Sequence, residues 1–308
     1  MNRYSHFLLC LLAVILVAPA TAQEEKKKDH TQRNRLILVG TLHAASMGFT
    51  FYGLNKAWYE DYPRSSFHTR NDIGVWNQVD KLGHAYSGYA VAGILTDVYS
   101  WTGVRKKKAV LIGSTSSLAF LSIIEFLDGH SSEWGFSYGD MGANVAGVAL
   151  FAGQELLWKE QRIQFKFSYH NKSYDPTYQY VTRQRFGKGQ GERILKDYNA
   201  QTYWLSVGVH QFGVSWWPKW LNVALGYGAN QMYGAYNNSW TDENGVGVNA
   251  NNIPRERQFY ISPDINLSVI NTKSGLLNAI FDRLYIKIPS PALEINTETG
   301  LHFHPIYF

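Results

Sequence analysis

The sequence predicts an α+β chain, an amino-terminal four-helix apolar bundle followed by a carboxyl-terminal antiparallel β-region. Two observations carry this. Between residues 36 and 158 lie four apolar stretches of about 18 to 23 residues with glycine, alanine and serine threaded through them, and after residue 160 the apolar period changes from 3.6 to 2. The first is "LILVGTLHAASMGFTFYGL" (36–54), the second "LGHAYSGYAVAGILTDVYSWTGV" (82–104), the third "AVLIGSTSSLAFLSIIEFL" (109–127) and the fourth "MGANVAGVALFAGQELLW" (141–158). Small residues let helix backbones approach closely. The predicted organisation is a leader over 1–22, a charged linker over 23–35, the bundle over 36–160 and the β-region over 161–308.

The amino terminus sets the compartment. Arg3, the apolar run "FLLCLLAVILVA" and the terminal "ATA" before "QEEKKKDH" read as a secretory signal peptide cleaved after Ala22. Cys10, the only cysteine, sits among leucines inside that run rather than after a small-residue box, which argues against a lipid anchor there. Without the leader the chain has no cysteine, so disulfides and thiolate metal sites are excluded, and any metal would need histidine and carboxylates.

Removing Arg3 from the 29 basic residues leaves 28 against 24 acidic ones, a net charge of +4 without a basic stripe, so nucleic acid is excluded as a partner. Aromatic residues make up 15% and charged ones 17%, where about 25% charged is usual. Such a surface expects an apolar neighbour besides the core. As inner-membrane spans, the four stretches would put the basic loop "RKKK" (105–108) on the outer side, against the positive-inside rule. A bundle buried in protein or lying in another membrane is preferred.

The β-region shows the period directly. Ile163, Phe165, Phe167 and Tyr169 alternate with Gln164, Lys166, Ser168 and His170. Tyr203, Leu205, Val207 and Val209 repeat the pattern, as do Leu221, Val223, Leu225 and Tyr227, and then Phe259, Ile261, Ile265, Leu267 and Val269. Runs of about 9 to 11 residues match tilted strands of an outer-membrane barrel. A short connection at 212–218 and a long Asn/Gly-rich one at 233–257 fit that reading. A soluble sheet with its apolar face on the helices explains the alternation equally well.

The polar groups in the bundle are the candidate site. On the second helix, "VDKLGHAYSGY" places Asp80 and His84 four residues apart on one face, with Lys81 beside them. Glu125 and Asp128 lie near the end of the third helix, and Asp140 and Asn144 at the start of the fourth, where Asp140 is the expected N-cap. In an up-and-down bundle these ends share one level. Histidine with carboxylates can hold a divalent metal ion or form an acid/base pair. His84, Asp80, Glu125 and Asp140 are the candidate catalytic residues, with Lys81, Asp128 and Asn144 in support. No cofactor is required by the sequence. The same groups, paired with one another, could instead be a polar lock that fixes helix register.

The order D-K-x-x-H, an acid, then G-D-x-x-x-N-x-x-G resembles the YfiM-like family of predicted periplasmic lipoproteins, domain of unknown function 2279, over roughly residues 76–158. A looser likeness runs to VanZ-like membrane proteins. The closer resemblance implies a periplasmic place and no assigned activity. "GKGQGERILKDY" (187–198) lacks the spacing of a phosphate loop, there is neither a G-x-S-x-G nor an H-E-x-x-H motif, and His302 with His304 are too few for a metal site. Two readings remain open: a structural or assembly protein of a Gram-negative-type envelope, bound to the outer membrane or to a partner in the periplasm, and a metal-assisted or acid/base hydrolase or transferase acting on an envelope lipid or glycan precursor.

Overall fold

The computed structural model describes residues 28–55, 59 and 63–307. The leader and residues 23–27 of the charged linker lie outside the described residues, and the rest of the linker, 28–35, is helical rather than a separate linker. Four long helices form as expected: α1 (Lys28–Leu54), α2 (Val79–Trp101), α3 (Lys106–Asp128) and α4 (Tyr138–Leu157). Between α1 and α2 runs β1 (Thr69–Arg70), which pairs in parallel with β2 (Phe136–Ser137) ahead of α4. Then follow β3 (Ile163–Tyr169), α5 (Gln179–Phe186), α6 (Gln190–Lys196), β4 (Gln201–Val207) and β5 (Leu221–Asn230). The remaining elements are β6 (Ser239–Thr241), β7 (Gly247–Asn249), β8 (Glu256–Ile265), α7 (Gly275–Arg283), β9 (Ser290–Asn296) and β10 (Gly300–Tyr307). The architecture is α+β. Packing divides it into two units, and the boundary passes through α2 between Tyr86 and Ser87, so that helix is common to both.

In the helical unit, glycines set how closely the helices approach. A Cβ on Gly113 of α3 would fall 2.7 Å from the Ala92 carbonyl of α2, and one on Gly88 of α2 would fall 2.7 Å from the Asn144 carbonyl of α4. The Ser117 hydroxyl of α3 donates to the Gly88 carbonyl at 3.0 Å. Tyr89, Ala92, Val110 and Phe151 are fully buried. Arg283 on α7, a helix the apolar pattern did not predict, makes a bidentate pair with Asp97 at 2.5 and 2.8 Å and reaches Glu155 at 3.4 Å. By length and composition, His30–Leu54 and Lys106–Asp128 are long and apolar enough to cross a membrane.

In the sheet unit six strands are hydrogen-bonded in the order β10-β9-β8-β5-β4-β3, with antiparallel neighbours. The order does not close into a barrel, which corrects the barrel-like expectation. Tyr285–Lys287 instead lie along the free edge of β3, where Phe167 donates to Tyr285 and accepts from Lys287. The alternation also stops earlier than expected: Val209–Phe212 and Leu267–Val269 are 3-10 turns rather than strand ends. β10 does form, with an irregular register between His304 and Tyr307, where Pro305 cannot donate to the ladder.

Cross-strand register turns the alternation into continuous rows. Phe165, Leu205, Leu225, Ile261, Leu293 and Phe303 are successive partners across all six strands. Phe167, Tyr203, Tyr227, Phe259, Ile295 and Leu301 form the next row, and Ile163, Val207, Val223 and Pro263 a third. Tyr86 covers the β3–β4 corner of this face, with its ring 5.7 Å from Phe167 and 5.8 Å from Tyr203. Elsewhere the apolar face is open, with Leu225, Phe259, Ile261, Ile295, Leu301 and Phe303 all exposed.

The opposite face is polar and buried. The sheet curls around it so far that the Tyr307 hydroxyl of β10 meets Thr202 of β4 at 3.0 Å and Tyr260 of β8 at 2.8 Å. Inside, Lys166 donates to Asp264 at 2.6 Å, Ser206 donates to the same carboxylate oxygen at 2.6 Å, and Lys287 stands 3.8 Å from its other oxygen. Gln258 and Asn296 donate to Glu294, which also pairs with His304 at 2.7 Å. Asp264 and Glu294 are thus both partnered within the fold.

His170, just past β3, packs its ring 5.9 Å from that of Tyr307. Burial, with the Lys172 ammonium nearby, lowers its pKa to about 4. A histidine whose folded pKa lies below its unfolded value of about 6.5 leaves the fold at full stability above that value, and stability falls as pH drops towards 4. The expected loss is about 3 kcal/mol across that window. Urea unfolding of the parent and of His170→Gln at pH 7 and pH 4.5 measures it. The variant should lose clearly less on acidification, and equal losses would refute the assignment.

Candidate functional site

The polar groups on α2 begin where the chain is most strained. Trp76, Asn77 and Gln78, directly before the helix, all have positive φ (49°, 49° and 65°), a left-handed conformation that costs roughly 1 kcal/mol or more at each such residue. The sheet unit holds them there. Tyr227 and Arg257 donate to the Asn77 carbonyl at 2.5 and 3.1 Å, and the Trp76 amide donates to the Ala235 carbonyl at 2.8 Å. The Trp76 ring lies against Tyr198 and Phe186.

Asp80 follows in the first turn of α2. It accepts from the Lys81 ammonium at 2.9 Å and from the Tyr198 hydroxyl at 2.9 Å, and Lys81 also pairs with Asp72 at 2.9 Å. His84 Nε2 stands 3.9 Å from Asp80 Oδ1, beyond hydrogen-bond range. One turn in, Gly83 faces the Tyr203 hydroxyl, which a Cβ would meet at 3.0 Å.

On the other helices Ser137, held by the β1–β2 pair, is the N-cap of α4: its hydroxyl accepts from the Asp140 amide at 3.0 Å. Asp140 is therefore not the cap, contrary to the sequence expectation, but the third helical residue of an S-x-x-D box. The Ser137 amide donates to Glu125 Oε2 at 3.4 Å, so Glu125 and Asp140 flank one serine. Glu125, Asp140 and Asn144 are all buried. Asp128 is turned elsewhere, accepting from Tyr59 at 2.7 Å.

His84 lies one turn before Gly88 and Asp140 one turn before Asn144, and Gly88 abuts Asn144. Asp72 and Asp80 share the Lys81 ammonium, and a protonated His84 beside Asp80 would bring the charge nearer balance. Asp72, Ser137 and Tyr198 were not among the expected residues. Ser137 had a readable signal in the S-x-x-D spacing, whereas Tyr198 reaches Asp80 from 118 residues away.

The comparison with curated proteins gives no match, and neither does the comparison with solved structures. The family match carries no support for the VanZ-like resemblance. Over residues 71–153, which hold every polar group of the site except Tyr198, the chain matches the model of a family described as predicted periplasmic lipoprotein (DUF2279).

Proposed function

We propose that the protein is an exported envelope component, docked to the outer membrane by the apolar face of its sheet, in a structural or assembly role. The observation that carries this reading is the inverted polarity of the sheet. A water-facing sheet buries its apolar side, whereas here lysines, aspartate and glutamate are inside and three apolar rows outside. β5 and β8 each have ten residues. That is roughly 34 Å of strand, which at a tilt of about 45° covers about 24 Å, close to the apolar band of outer-membrane proteins. The family description, a predicted periplasmic lipoprotein, supports export.

The test is a charge on the middle row. Ile261→Lys is expected to weaken membrane association by about 2 to 4 kcal/mol, and to move the protein out of the outer-membrane fraction. In a sheet facing water the same change should stay within about 0.5 kcal/mol. A variant that fractionates and melts like the parent would refute the membrane reading.

In this proposal the groups on α2 and α4 are a polar lock. Lys81 bridging Asp72 and Asp80 sets the entry of α2, and the packing of Gly88 on Asn144 sets its register. One observation favours a second reading. His84 and Asp80 stand 3.9 Å apart on one face of α2, and with Asp140 as a third donor a divalent ion held there would polarise a bound phosphate or activate water for hydrolysis of a lipid or glycan precursor. The experiment that separates the two closes the Discussion.

A further inference from the structure

The turn between β4 and β5 carries a group of exposed aromatic side chains. Trp216 is 79% exposed, Trp220 53% and Phe212 46%. Exposed aromatics on a floppy loop would mean little, but this turn is held rigidly. Trp217 donates from Nε1 to the Leu221 carbonyl at 2.6 Å, its own carbonyl contacts His210 Nδ1 at 2.9 Å, and its amide donates to Val214. Gly213 turns the chain at φ 96°. The Asn266 amide donates to the Trp220 carbonyl, tying the turn to the end of β8. Trp216 and Trp220 are thus presented outward from a preorganised support.

Charge within the turn and its two strands is one-sided. From Tyr198 to Thr241 there is no aspartate or glutamate, and Lys219 is the only lysine or arginine. Arg162 adds a second cation, 5.8 Å over the Phe212 ring. The turn adjoins the row Ile163, Val207, Val223 and Pro263, so it sits at one border of the apolar band.

Tryptophans beside a cation at the edge of an apolar band have the chemistry of a bilayer interface, where an amphipathic indole is shared between headgroups and chains. We infer that the Trp216–Trp220 turn is an interfacial anchor that seats among anionic phospholipid headgroups and sets the depth of the sheet in the bilayer. This rests on the membrane reading above and adds to it the place, the residues and the lipid charge.

The test labels the turn in the full chain. In a Cys10→Ser background, Ser215→Cys receives an environment-sensitive fluorophore, and Asn244→Cys in the β6–β7 turn serves as the distant control. With vesicles of phosphatidylcholine and phosphatidylglycerol, the label at 215 should shift to the blue. Nitroxide lipids labelled near the headgroup should quench it more than those labelled deep in the chains, and the label at 244 should not change. Trp216→Ala/Trp220→Ala should weaken vesicle binding by about ten-fold. Lys219→Glu should remove the preference for phosphatidylglycerol. Binding of the protein with the 215 label still in water would overturn the anchor and leave the membrane reading standing. Failure to bind any vesicle would overturn both. Equal binding to phosphatidylcholine alone would overturn the assignment of anionic headgroups.

Discussion

Asp264→Ala is expected to lower the unfolding free energy by about 3 to 5 kcal/mol. The carboxylate is fully buried inside the curled sheet and faces two ammonium groups, Lys166 at 2.6 Å and Lys287 at 3.8 Å. Both lysines are themselves buried. Among the described residues Lys166 would keep the Ile265 carbonyl, and Lys287 the Pro263 and Ile288 carbonyls, the Ser290 hydroxyl and the face of Trp204. Two cations would then share an interior with no counter-charge beside them, and that penalty, more than the lost hydrogen bonds, sets the magnitude. It follows that the triple replacement Lys166→Met/Asp264→Leu/Lys287→Met should recover most of the loss, because no charge is then left unpaired. Denaturant unfolding of the three proteins, measured in the same detergent, checks it. An Asp264→Ala protein within about 1 kcal/mol of the parent would mean that water reaches this interior, and the polar face would no longer argue for an apolar exterior.

That interior shows where sequence reading stops. The alternation of Ile163, Phe165 and Phe167 with Gln164, Lys166 and Ser168 is local, and strand geometry alone puts the two sets on opposite faces. Which face is buried is not a local property. It depends on Lys166 meeting Asp264 and on Tyr307 meeting Thr202, pairs separated by 98 and 105 residues. A period of 2 is silent about such pairs. The short helix α7 was missed for a similar reason: its place is fixed by Arg283 pairing with Asp97, 186 residues distant.

The candidate site divides along the same line. Asp80 and His84 at i, i+4 were legible because helix periodicity puts them on one face. That Asp140 joins them is the expectation of an up-and-down bundle, in which the second and fourth helices start at one level. The sequence predicts Asp140 as the cap, but "SYGD" holds a serine as well as an aspartate. Either can cap a helix, and only the pairing of β1 with β2 selects Ser137. Asp128 has the same chemistry as Glu125 and lies three residues on, yet Tyr59 draws it away. Tyr198 completes the coordination of Asp80 from the far side of α6, where nothing in the motif points to it.

Addition of a divalent ion is the experiment that divides lock from metal centre, and the two readings differ in the sign of the response. If Asp72, Asp80, Asp140 and Lys81 only pair with one another and with His84, a cation has to displace Lys81 from between two carboxylates. Millimolar zinc or manganese should then leave the melting temperature unchanged. On that reading Asp140→Ala lowers stability by about 3 kcal/mol as a buried partner is lost. His84→Ala lowers it less, since His84 is about a quarter exposed and its contact with Asp80 is long. The double variant should be less destabilised than the sum, because the two residues answer to one cluster. If the three donors hold a metal, the ion binds the folded chain alone and raises its stability by about 4 kcal/mol at a thousand times its dissociation constant. Both His84→Ala and Asp140→Ala should abolish that gain, each while still folding and reaching the membrane fraction. The lock predicts two unstable proteins indifferent to metal, and the metal centre two stable ones that no longer respond to it. We expect the first outcome, because Lys81 already occupies, at 2.9 Å from both Asp72 and Asp80, the position nearest the negative charge.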